Sequence, residues 1–446
     1  MGRIFGTDGV RGAANLLLTP EFAMAIGRGL VDLLQEAGEP RPSVLIGRDP
    51  RWSGEMLEAA LVAGITSAGG DAVSIGVLPT PAVAYLTTQG EAAAGVVISA
   101  SHNPVGDNGI KVFGADGYKL SDVEEAAFET LIEQPRTARP TGVAIGRHHS
   151  DPAALARYVE HVAASVDVDL TGLRVVVDGA NGAASQVAPQ VYRQLGAEVV
   201  PIHCAPDGAN INDRCGSTHP GAVREAVLAN SADVGISHDG DADRLIAATG
   251  GGAEVDGDVI LAILARQQHL HGTLRGGAVA TTVMTNLGFR RAMDALGIEV
   301  VQTPVGDRYV LEAMRERGLN LGGEQSGHLI DLDHTTTGDG VLTAVHLLAT
   351  MRVTGASLDE LSTVMSRLPQ VLVNVAGVDR AGLPGAEAVW EVVAAEEARL
   401  GAGGRLLLRP SGTEPLIRVM AEAETQADAQ QAVDRVAASV REHLTI

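Results

Sequence analysis

Apolar and polar positions follow a pattern that occurs three times along the chain. In each copy an apolar, β-branched run leads into a turn and a helical stretch, a glycine-led strand follows, and a third apolar strand ends on a polar loop. The first strands read SVLIGRDP, LRVVVDGANG and GAVATTVMTN, and the third strands read AAGVVISASHNP, ADVGISHDGDADR and LNLGGEQSGHLI. Such apolar strands, separated by helical stretches, are typical of mixed or parallel sheets covered by helices on both faces.

The repeat predicts a chain of several domains. A period of about 100 residues corresponds to whole domains rather than to solenoid repeats, and 446 residues exceed what one core holds. The remaining segment reads strand, loop, strand, helix (RLLLRPSGTEPLIRVMAEA, then ADAQQAVDRVAASVREHL). We therefore predict an α/β protein with three similar α/β domains, each with a mixed sheet, and a C-terminal α+β domain, the four lying around a central cleft. The predicted boundaries are 1–150, 151–253, 254–366 and 367–446.

Composition narrows the class of protein. Hydrophobic residues make up 45% and charged residues 20% of the chain, which is typical of a globular protein. A formal net charge of −22 argues against a nucleic-acid binder, which needs a basic surface. No apolar window has the length of a membrane helix, and the first residues do not resemble a secretory leader. The two cysteines, Cys204 and Cys215, fit neither a disulfide framework nor a metal knuckle, so we predict a cytoplasmic protein.

The loop after the third strand of the second copy is a candidate metal site. In open α/β sheets, ligands bind beyond the carboxyl ends of strands. SHDGDADR places Asp239, Asp241 and Asp243 at alternate positions, which turns three carboxylates toward one hard cation. An EF-hand would need Gly and Glu where the chain has Arg244 and Gly250. A phosphatase of the haloacid-dehalogenase type is also disfavoured, because the motif of those enzymes has Thr or Val at the position where this chain has Asp243.

The corresponding loop of the first copy carries Ser101. By its place in the repeat, Ser101 is predicted to lie opposite the cation, where a serine oxygen can accept a phosphoryl group and ligate the metal. No G-x-S-x-G motif surrounds it, which disfavours an esterase. The only lysines, Lys111 and Lys119, do not follow glycine, so a P-loop is absent.

Two further loops carry polar groups suited to a sugar phosphate. LRPSGTEPLIRVM provides two guanidinium groups, two hydroxyls and backbone N–H groups, which suit the oxygens of a phosphate. In GGEQSGHLI, an apolar strand is followed by a carboxylate, a hydroxyl and an imidazole, which suit sugar hydroxyls. The residues are Arg409, Ser411, Gly412, Thr413 and Arg418 in the first loop and Glu324, Ser326 and His328 in the second.

Five motifs, in their order and spacing, resemble the α-D-phosphohexomutase superfamily over essentially the whole chain. They are GTDGVRG, SASHNP, DGDADR, GEQSGH and RPSGTEP. Within this superfamily, IFGTDGVRG, TPVGDRYV and the Gln of GEQSGH are similar to the branch that interconverts glucosamine 6-phosphate and glucosamine 1-phosphate on the route to UDP-N-acetylglucosamine. The Val-Gly of HNPVGDNGIK and Ala242 depart from common residues of the family, but neither removes a ligand.

The resemblance implies a mechanism and a set of site residues. A phosphoserine at Ser101 exchanges its phosphoryl group with the sugar through a sugar 1,6-bisphosphate, which also activates the enzyme. One Mg²⁺ per chain is held by Asp239, Asp241, Asp243 and the phosphoserine. Other positions around the phosphoryl group are Arg11, His102, Lys111 and His328, with Arg244 as a phosphoserine contact. Lys111 is the first candidate for the general acid/base and His328 the second. Substrate-binding positions are Glu324, Ser326, Arg409, Ser411, Gly412, Thr413 and Arg418, together with Thr303, Gly306 and Asp307.

Other functions stay open at this stage. The same chemistry on glucose or mannose phosphates is the nearest alternative, and a non-catalytic phosphosugar sensor on the same scaffold is a more distant one. The expected partner is a phosphosugar, with neither nucleic acid nor membrane, and we expect a homodimer.

Overall fold

The computed structural model describes residues 5–6, 9–90, 92–411 and 415–446. The chain forms two compact units. The first comprises Met1–Val283 with Ile298–Thr363, and the second comprises Met284–Gly297 with Val364–Ile446. Three sheets belong to the first unit and one to the second.

The first sheet has six strands in the order β1-β5-β4-β2-β3-β6. β1 and β5 run antiparallel to their neighbours, whereas β4, β2, β3 and β6 are mutually parallel. Its strands are β1 (Val10–Ala13), β2 (Ser43–Arg48), β3 (Asp71–Val77), β4 (Ala94–Ile98), β5 (Asp107–Gly114) and β6 (His148–Ser150). Its helices are α1 (Pro20–Glu36), α2 (Trp52–Ala68), α3 (Thr80–Thr88) and α4 (Asp122–Glu133).

The second sheet has five strands in the order β11-β10-β9-β7-β8. β9, β7 and β8 are parallel, and β10 and β11 are antiparallel additions. Its elements are α5 (Ala154–Ala164), β7 (Arg174–Asp178), α6 (Ala184–Gln194), β8 (Glu198–Ile202), α7 (Gly221–Asn230), β9 (Val234–His238), β10 (Leu245–Thr249) and β11 (Glu254–Val255).

The third sheet has four strands in the order β13-β12-β14-β15, of which β15 is antiparallel. Its strands are β12 (Ala278–Thr282), β13 (Glu299–Thr303), β14 (Leu321–Gly323) and β15 (Leu329–Asp331). The helices of this stretch are α8 (Gly257–His271), α9 (Leu287–Leu296), α10 (Asp307–Arg317), α11 (Gly340–Thr354) and α12 (Leu358–Leu361). Of these, α9 lies in the second compact unit.

The three sheets share one arrangement, in which the second, first and third strands of the repeat are parallel and a fourth strand returns antiparallel beside the third. The hairpins between the third and fourth strands therefore occupy equivalent places in the three sheets. They carry residues 99–106, 239–244 and 324–328, the same loops in which the sequence concentrates its polar groups.

The second unit contains an antiparallel sheet in the order β16-β18-β17. Its elements are β16 (Gln370–Ala376), α13 (Glu387–Leu400), β17 (Gly404–Pro410), β18 (Leu416–Ala423) and α14 (Gln426–Leu444). Val375, Ile417 and Val419 of the sheet and Val433 and Val436 of α14 belong to one buried cluster. The predicted fold, with mixed α/β sheets and a C-terminal α+β domain, is confirmed, whereas the predicted domain boundaries stay predictions.

The contact between α1 and α2 depends on small residues. α1 begins at Pro20 after Thr19, whose side chain accepts a hydrogen bond from the backbone N–H of Phe22. At the α1–α2 contact, a Cβ on Gly64 would lie 2.3 Å from the carbonyl oxygen of Met24, so the two backbones approach too closely for a larger residue.

Within the described residues, no single helix has both the length and the apolar composition of a membrane span.

Candidate active site

Ser101 lies in the β4–β5 hairpin in a strained and buried position. Its φ is +51°, which a residue with a side chain rarely adopts and which is often found at functional sites. The side chain of Ser99 accepts a hydrogen bond from the Ser101 N–H at 2.9 Å. The Ser101 hydroxyl donates to Oδ2 of Asp239 at 2.5 Å, and Nδ1 of His102 lies 3.2 Å from the same hydroxyl oxygen. The structure thus brings Ser101 against the aspartate loop, as the sequence predicts.

A buried ion pair that sequence reasoning missed holds this hairpin. Arg51 and Asp49 are both fully buried, and Nε of Arg51 lies 2.9 Å from Oδ2 of Asp49. The Arg51 guanidinium also donates to the carbonyl oxygens of Ser101 at 3.0 Å and Asn103 at 2.8 Å. Asn212 adds a second hydrogen bond to the Ser101 carbonyl at 2.9 Å. The available signal was the charged Asp-Pro-Arg directly after the strand SVLIGR.

Asp239, Asp241 and Asp243 form one carboxylate cluster in the β9–β10 hairpin. One oxygen from each lies within 4.8 Å of the others, and the three residues are 1%, 1% and 5% exposed. Burial and the charges of its two neighbours raise the pKa of Asp239 well above its usual range. Crowding of this kind is unfavourable unless a positive charge compensates it.

The cluster fits a hard divalent cation. Oδ1 of Asp241 and Oδ1 of Asp243 are buried and have no hydrogen-bond partner among the described residues. An all-oxygen set of this kind is what Mg²⁺ prefers. The remaining oxygens are oriented by protein groups, because the Thr80 hydroxyl donates to Oδ2 of Asp241 at 2.7 Å. Thr80 precedes Asp241 by 161 residues and was not predicted.

Basic groups surround the carboxylates. Nζ of Lys111 lies 3.0 Å from Oδ2 of Asp241 and 3.5 Å from Oδ2 of Asp243. Burial opposes the ionisation of Asp243, but Lys111, His328 and Arg244 outweigh it and hold the pKa of that carboxyl below its usual range. Nε of Arg244 lies 3.7 Å from Oδ1 of Asp243.

The two site histidines have opposite pKa shifts. Burial, followed by the charges of Arg244 and Arg11, lowers the pKa of His102 to about 4. Burial also disfavours the charged form of His328, but Asp243 and other carboxylates raise its pKa to about 8. Arg11 lies on β1, opposite Gly109 of β5. His102 is therefore neutral at pH 7, whereas His328 titrates near it.

The predicted sugar-binding residues of the first unit lie beside His328. Nε2 of His328 is 3.8 Å from Oδ2 of Asp307, and Lys119, which was not predicted, pairs with the same oxygen at 2.7 Å. Burial raises the pKa of Glu324, and its Oε1 accepts a hydrogen bond from the backbone N–H of Gly306 at 3.3 Å.

Two hydroxyls predicted to bind substrate differ in their bonding. The buried Oγ of Ser326 has no hydrogen-bond partner among the described residues. By contrast, the Thr303 hydroxyl donates to the carbonyl of Pro304 at 2.9 Å.

The predicted phosphate-binding residues lie in the second compact unit. Arg409 of β17 and Arg418 of β18 are directly opposite each other in the antiparallel pair. Burial and the charge of Arg418 lower the pKa of Arg409, and like charges at such a position are unfavourable without an anion. The Ser411 carbonyl accepts a hydrogen bond from Arg380 at 2.7 Å. The two other predicted residues, Gly412 and Thr413, lie outside the described residues.

Comparison with known proteins matches all four parts of the chain. Residues 2–139, 156–252 and 256–368 match the α/β/α domains I, II and III of phosphoglucomutase/phosphomannomutase, and residues 372–439 match its C-terminal domain. A phosphoglucosamine mutase of Salinispora tropica is 54% identical over 445 residues, covering 99% of each chain. A phosphoglucosamine mutase of Pelotomaculum thermopropionicum is 55% identical over 444 residues, covering 99% of this chain and 100% of the relative.

Solved structures agree with these matches. A phosphoglucomutase/phosphomannomutase family protein of Burkholderia thailandensis has a TM-score of 0.84 at 25% identity, covering 100% of this chain and 99% of that one. An N-acetylphosphoglucosamine mutase of Aspergillus fumigatus, solved with GlcNAc-6P and magnesium, has a TM-score of 0.68 at 19% identity, covering 99% and 96% of the two chains. With the serine, the carboxylate cluster and the four matched domains together, the chain belongs to the phosphoglucomutase/phosphomannomutase family of phosphohexomutases.

Proposed function

We propose that this protein interconverts glucosamine 6-phosphate and glucosamine 1-phosphate. The substrate assignment is supported by curated relatives that are 52–55% identical over nearly the whole chain and are named phosphoglucosamine mutase. The observation that carries the chemistry is the buried Ser101 hydroxyl, which lies 2.5 Å from Asp239 at the edge of the carboxylate cluster.

In the proposed reaction, phosphoserine 101 donates its phosphoryl group to the free hydroxyl of the sugar monophosphate. The bond between phosphorus and the serine oxygen breaks, a bond to the sugar oxygen forms, and the sugar hydroxyl releases its proton. The resulting 1,6-bisphosphate turns end for end and returns its other phosphoryl group to Ser101. Added sugar 1,6-bisphosphate therefore acts as an activator that restores the phosphorylated enzyme.

Asp239, Asp241 and Asp243 would hold one Mg²⁺ per chain together with the phosphoserine. When bound, the cation neutralises charge on the transferring phosphoryl group. Arg51 and Asn212 keep the serine hairpin in place through the Ser101 carbonyl. Arg244 and Arg11 add positive charge beside the phosphoserine, and His102 lies against its oxygen.

Lys111 is our first choice for the group that takes and returns the proton, and His328 is the second. Both lie beside the aspartate cluster, and His328 has a pKa of about 8, close to the pH at which proton transfer is useful. The sugar would contact Glu324, Ser326, Thr303, Gly306 and Asp307. The distal phosphate would be bound by Arg409, Arg418 and Ser411, with Gly412 and Thr413 from the same loop. A cytoplasmic homodimer stays a prediction.

The decisive measurement compares kcat/KM for glucosamine, glucose and mannose 6-phosphates, with Mg²⁺ and catalytic sugar bisphosphate. Phosphorylation of Ser101 is first confirmed by peptide mass. We expect a clear preference for glucosamine 6-phosphate and loss of turnover in Ser101→Ala. Ser150→Ala, which changes an exposed serine on the edge strand β6, is the matched control and should keep full activity. Equal activity on glucose or mannose phosphate would assign the protein to the broader hexose-phosphate branch, and absence of turnover would favour a sensor.

A further inference from the structure

Three metal-binding side chains converge away from the candidate active site, where β15 and α11 meet. They are Asp331 at the end of β15, His334 in the following turn and His346 on α11. One ligand atom from each residue lies within 4.8 Å of the other two. Nδ1 of His346 is 3.9 Å from Oδ2 of Asp331, a separation too long for a hydrogen bond.

The hydrogen bonds of His346 show which of its nitrogens is available as a ligand. The Ser165 hydroxyl donates its single proton to the carbonyl of Val162 at 2.7 Å. At its 3.1 Å contact with Nε2 of His346 the same oxygen must therefore accept, so Nε2 carries a hydrogen. In the neutral imidazole Nδ1 then has a lone pair, and this nitrogen lies 3.9 Å from a carboxylate oxygen. A cation between these two acceptors would make the arrangement favourable.

Neighbouring groups fix the carboxylate and the turn. Nε2 of Gln268 donates to Oδ2 of Asp331 at 2.8 Å, and the backbone N–H of Asp333 donates to Oδ1 at 3.1 Å. The amide of Gln268 is itself oriented, because Asn320 donates to its Oε1 at 3.1 Å. Outer contacts of this kind hold metal ligands in place and determine their orientation.

The ring of His334 packs edge-to-face on that of His346, with centroids 4.9 Å apart. Its carbonyl accepts a hydrogen bond from Nε2 of His161 at 3.0 Å, and the His161 ring stacks on Tyr85 at 3.6 Å. The cluster is therefore connected to α5 through Ser165 and His161, and to α3 through Tyr85. All of these elements belong to the first compact unit.

We propose that Asp331, His334 and His346 form a second metal site, for a divalent cation of the zinc type. Two imidazole nitrogens and one carboxylate oxygen are a usual donor set for Zn²⁺. Mg²⁺ prefers oxygen ligands alone, so this site and the Asp239 cluster select different ions. A cation here connects β15 to α11, and the side-chain contacts of this cluster reach α5 and α3. It therefore stabilises the region where helices of the three α/β sheets meet, and it takes no part in phosphoryl transfer.

The test uses the full chain, stripped of metal with a chelator and then saturated with Mg²⁺ to occupy the carboxylate cluster. Zn²⁺ alone is titrated by calorimetry, and thermal unfolding is followed with and without Zn²⁺. We expect one Zn²⁺ per chain and a higher Tm in its presence, because an ion that binds only the folded state stabilises it. Binding of no Zn²⁺ by the Mg²⁺-saturated protein would overturn the proposal.

Variants locate the ion. His334→Gln changes a partly exposed turn residue and so tests the site with little risk to folding, while His346→Gln retains a donor toward Ser165. Each is expected to weaken Zn²⁺ binding by at least about tenfold and to remove the Zn²⁺-dependent rise in Tm. His271→Gln, at the exposed end of α8, is the matched control and should bind like the wild type. Unchanged Zn²⁺ affinity in His334→Gln and His346→Gln would refute the assignment.

Co²⁺ provides an independent spectroscopic readout. Bound by nitrogen and oxygen donors at this site, it should give visible absorption that is lost in His334→Gln and kept in His271→Gln. Mutase activity, measured with Mg²⁺ and no added Zn²⁺, tests the proposed function separately. A failure of one proposal is therefore distinguishable from a failure of the other.

Discussion

Arg51→Met removes the guanidinium that connects Asp49 to the serine hairpin. Arg51 is 0% exposed, pairs with Asp49 at 2.9 Å and donates to the carbonyl oxygens of Ser101 and Asn103. Methionine fills much of the same volume but makes none of these bonds. The variant therefore leaves a buried carboxylate without its counter-charge, and the carbonyl oxygens of Ser101 and Asn103 keep only Asn212 as a donor.

The expected cost follows from that loss. Removing one partner of a buried ion pair destabilises a protein by about 3–5 kcal/mol. The carbonyl oxygens of Ser101 and Asn103 still accept from Asn212, so their loss of the guanidinium adds little to this cost. We expect Arg51→Met to lower the free energy of unfolding by about 3–5 kcal/mol. Because the Ser101 carbonyl loses one of its two donors and keeps only Asn212, a shift of the hairpin by about 1 Å should also lower kcat by about 100-fold.

The assay is urea unfolding of the full chain, monitored by circular dichroism. Steady-state kinetics are measured at urea concentrations below the unfolding transition. Arg41→Met is the matched control, because Arg41 pairs with Asp71 at a similar 2.9 Å but at the surface, where water replaces the lost partner. The double variant Asp49→Asn with Arg51→Met should recover part of the stability, since it removes the buried charge.

The penalty should also depend on pH. Burial raises the pKa of Asp49, and Arg51 opposes that shift. Without Arg51 the folded-state pKa rises further, so the ionised form is the destabilising one. The penalty of the substitution should therefore grow as the pH rises from the folded pKa of Asp49 in the wild type to the higher folded pKa in the variant, and stay constant above it. A cost for Arg51→Met no larger than that for Arg41→Met, at neutral pH, would refute the role of this ion pair.

Further predictions concern the site groups. Lys111→Arg keeps the positive charge beside Asp241 but cannot release a proton, so kcat should fall by about 100-fold or more while Ser101 phosphorylation stays unchanged; near-normal turnover would leave Lys111 only a charge role. In metal-free protein, the pKa of His328 is raised from 6.5 to about 8, so its contribution of about 2 kcal/mol is fully present below pH 6.5 and is lost as the pH rises through 8. His328→Gln should remove this dependence in denaturation curves at pH 6 and pH 9, and an identical dependence in the variant would contradict the assignment. Arg409→Leu relieves repulsion with Arg418, so we expect stability to be kept or raised by up to about 1 kcal/mol while KM for the sugar phosphate rises; an unchanged KM would exclude Arg409 from phosphate binding.

The sequence alone was sufficient to predict the repeated architecture. Apolar strands of the three copies appear in the structure as β2, β7 and β12, which lead into helices, and as β4, β9 and β14, which are followed by polar hairpins. Burial on both faces requires apolar residues along the whole strand, so the signal is local and visible in a short window. Alternate aspartates after such a strand likewise predicted the carboxylate cluster that the structure contains.

The surroundings of Ser101 were decided only by the tertiary structure. Its hydroxyl meets Asp239 across 138 residues of chain, its carbonyl meets Asn212 across 111, and Arg51 reaches it from another loop. The Asp331, His334 and His346 cluster depends in the same way on Ser165, which lies 181 residues from His346. Periodicity reports which face of an element is buried, but it contains no information about which distant loop will lie against it. That choice is made when the sheets pack, because only packing determines which buried polar groups find partners.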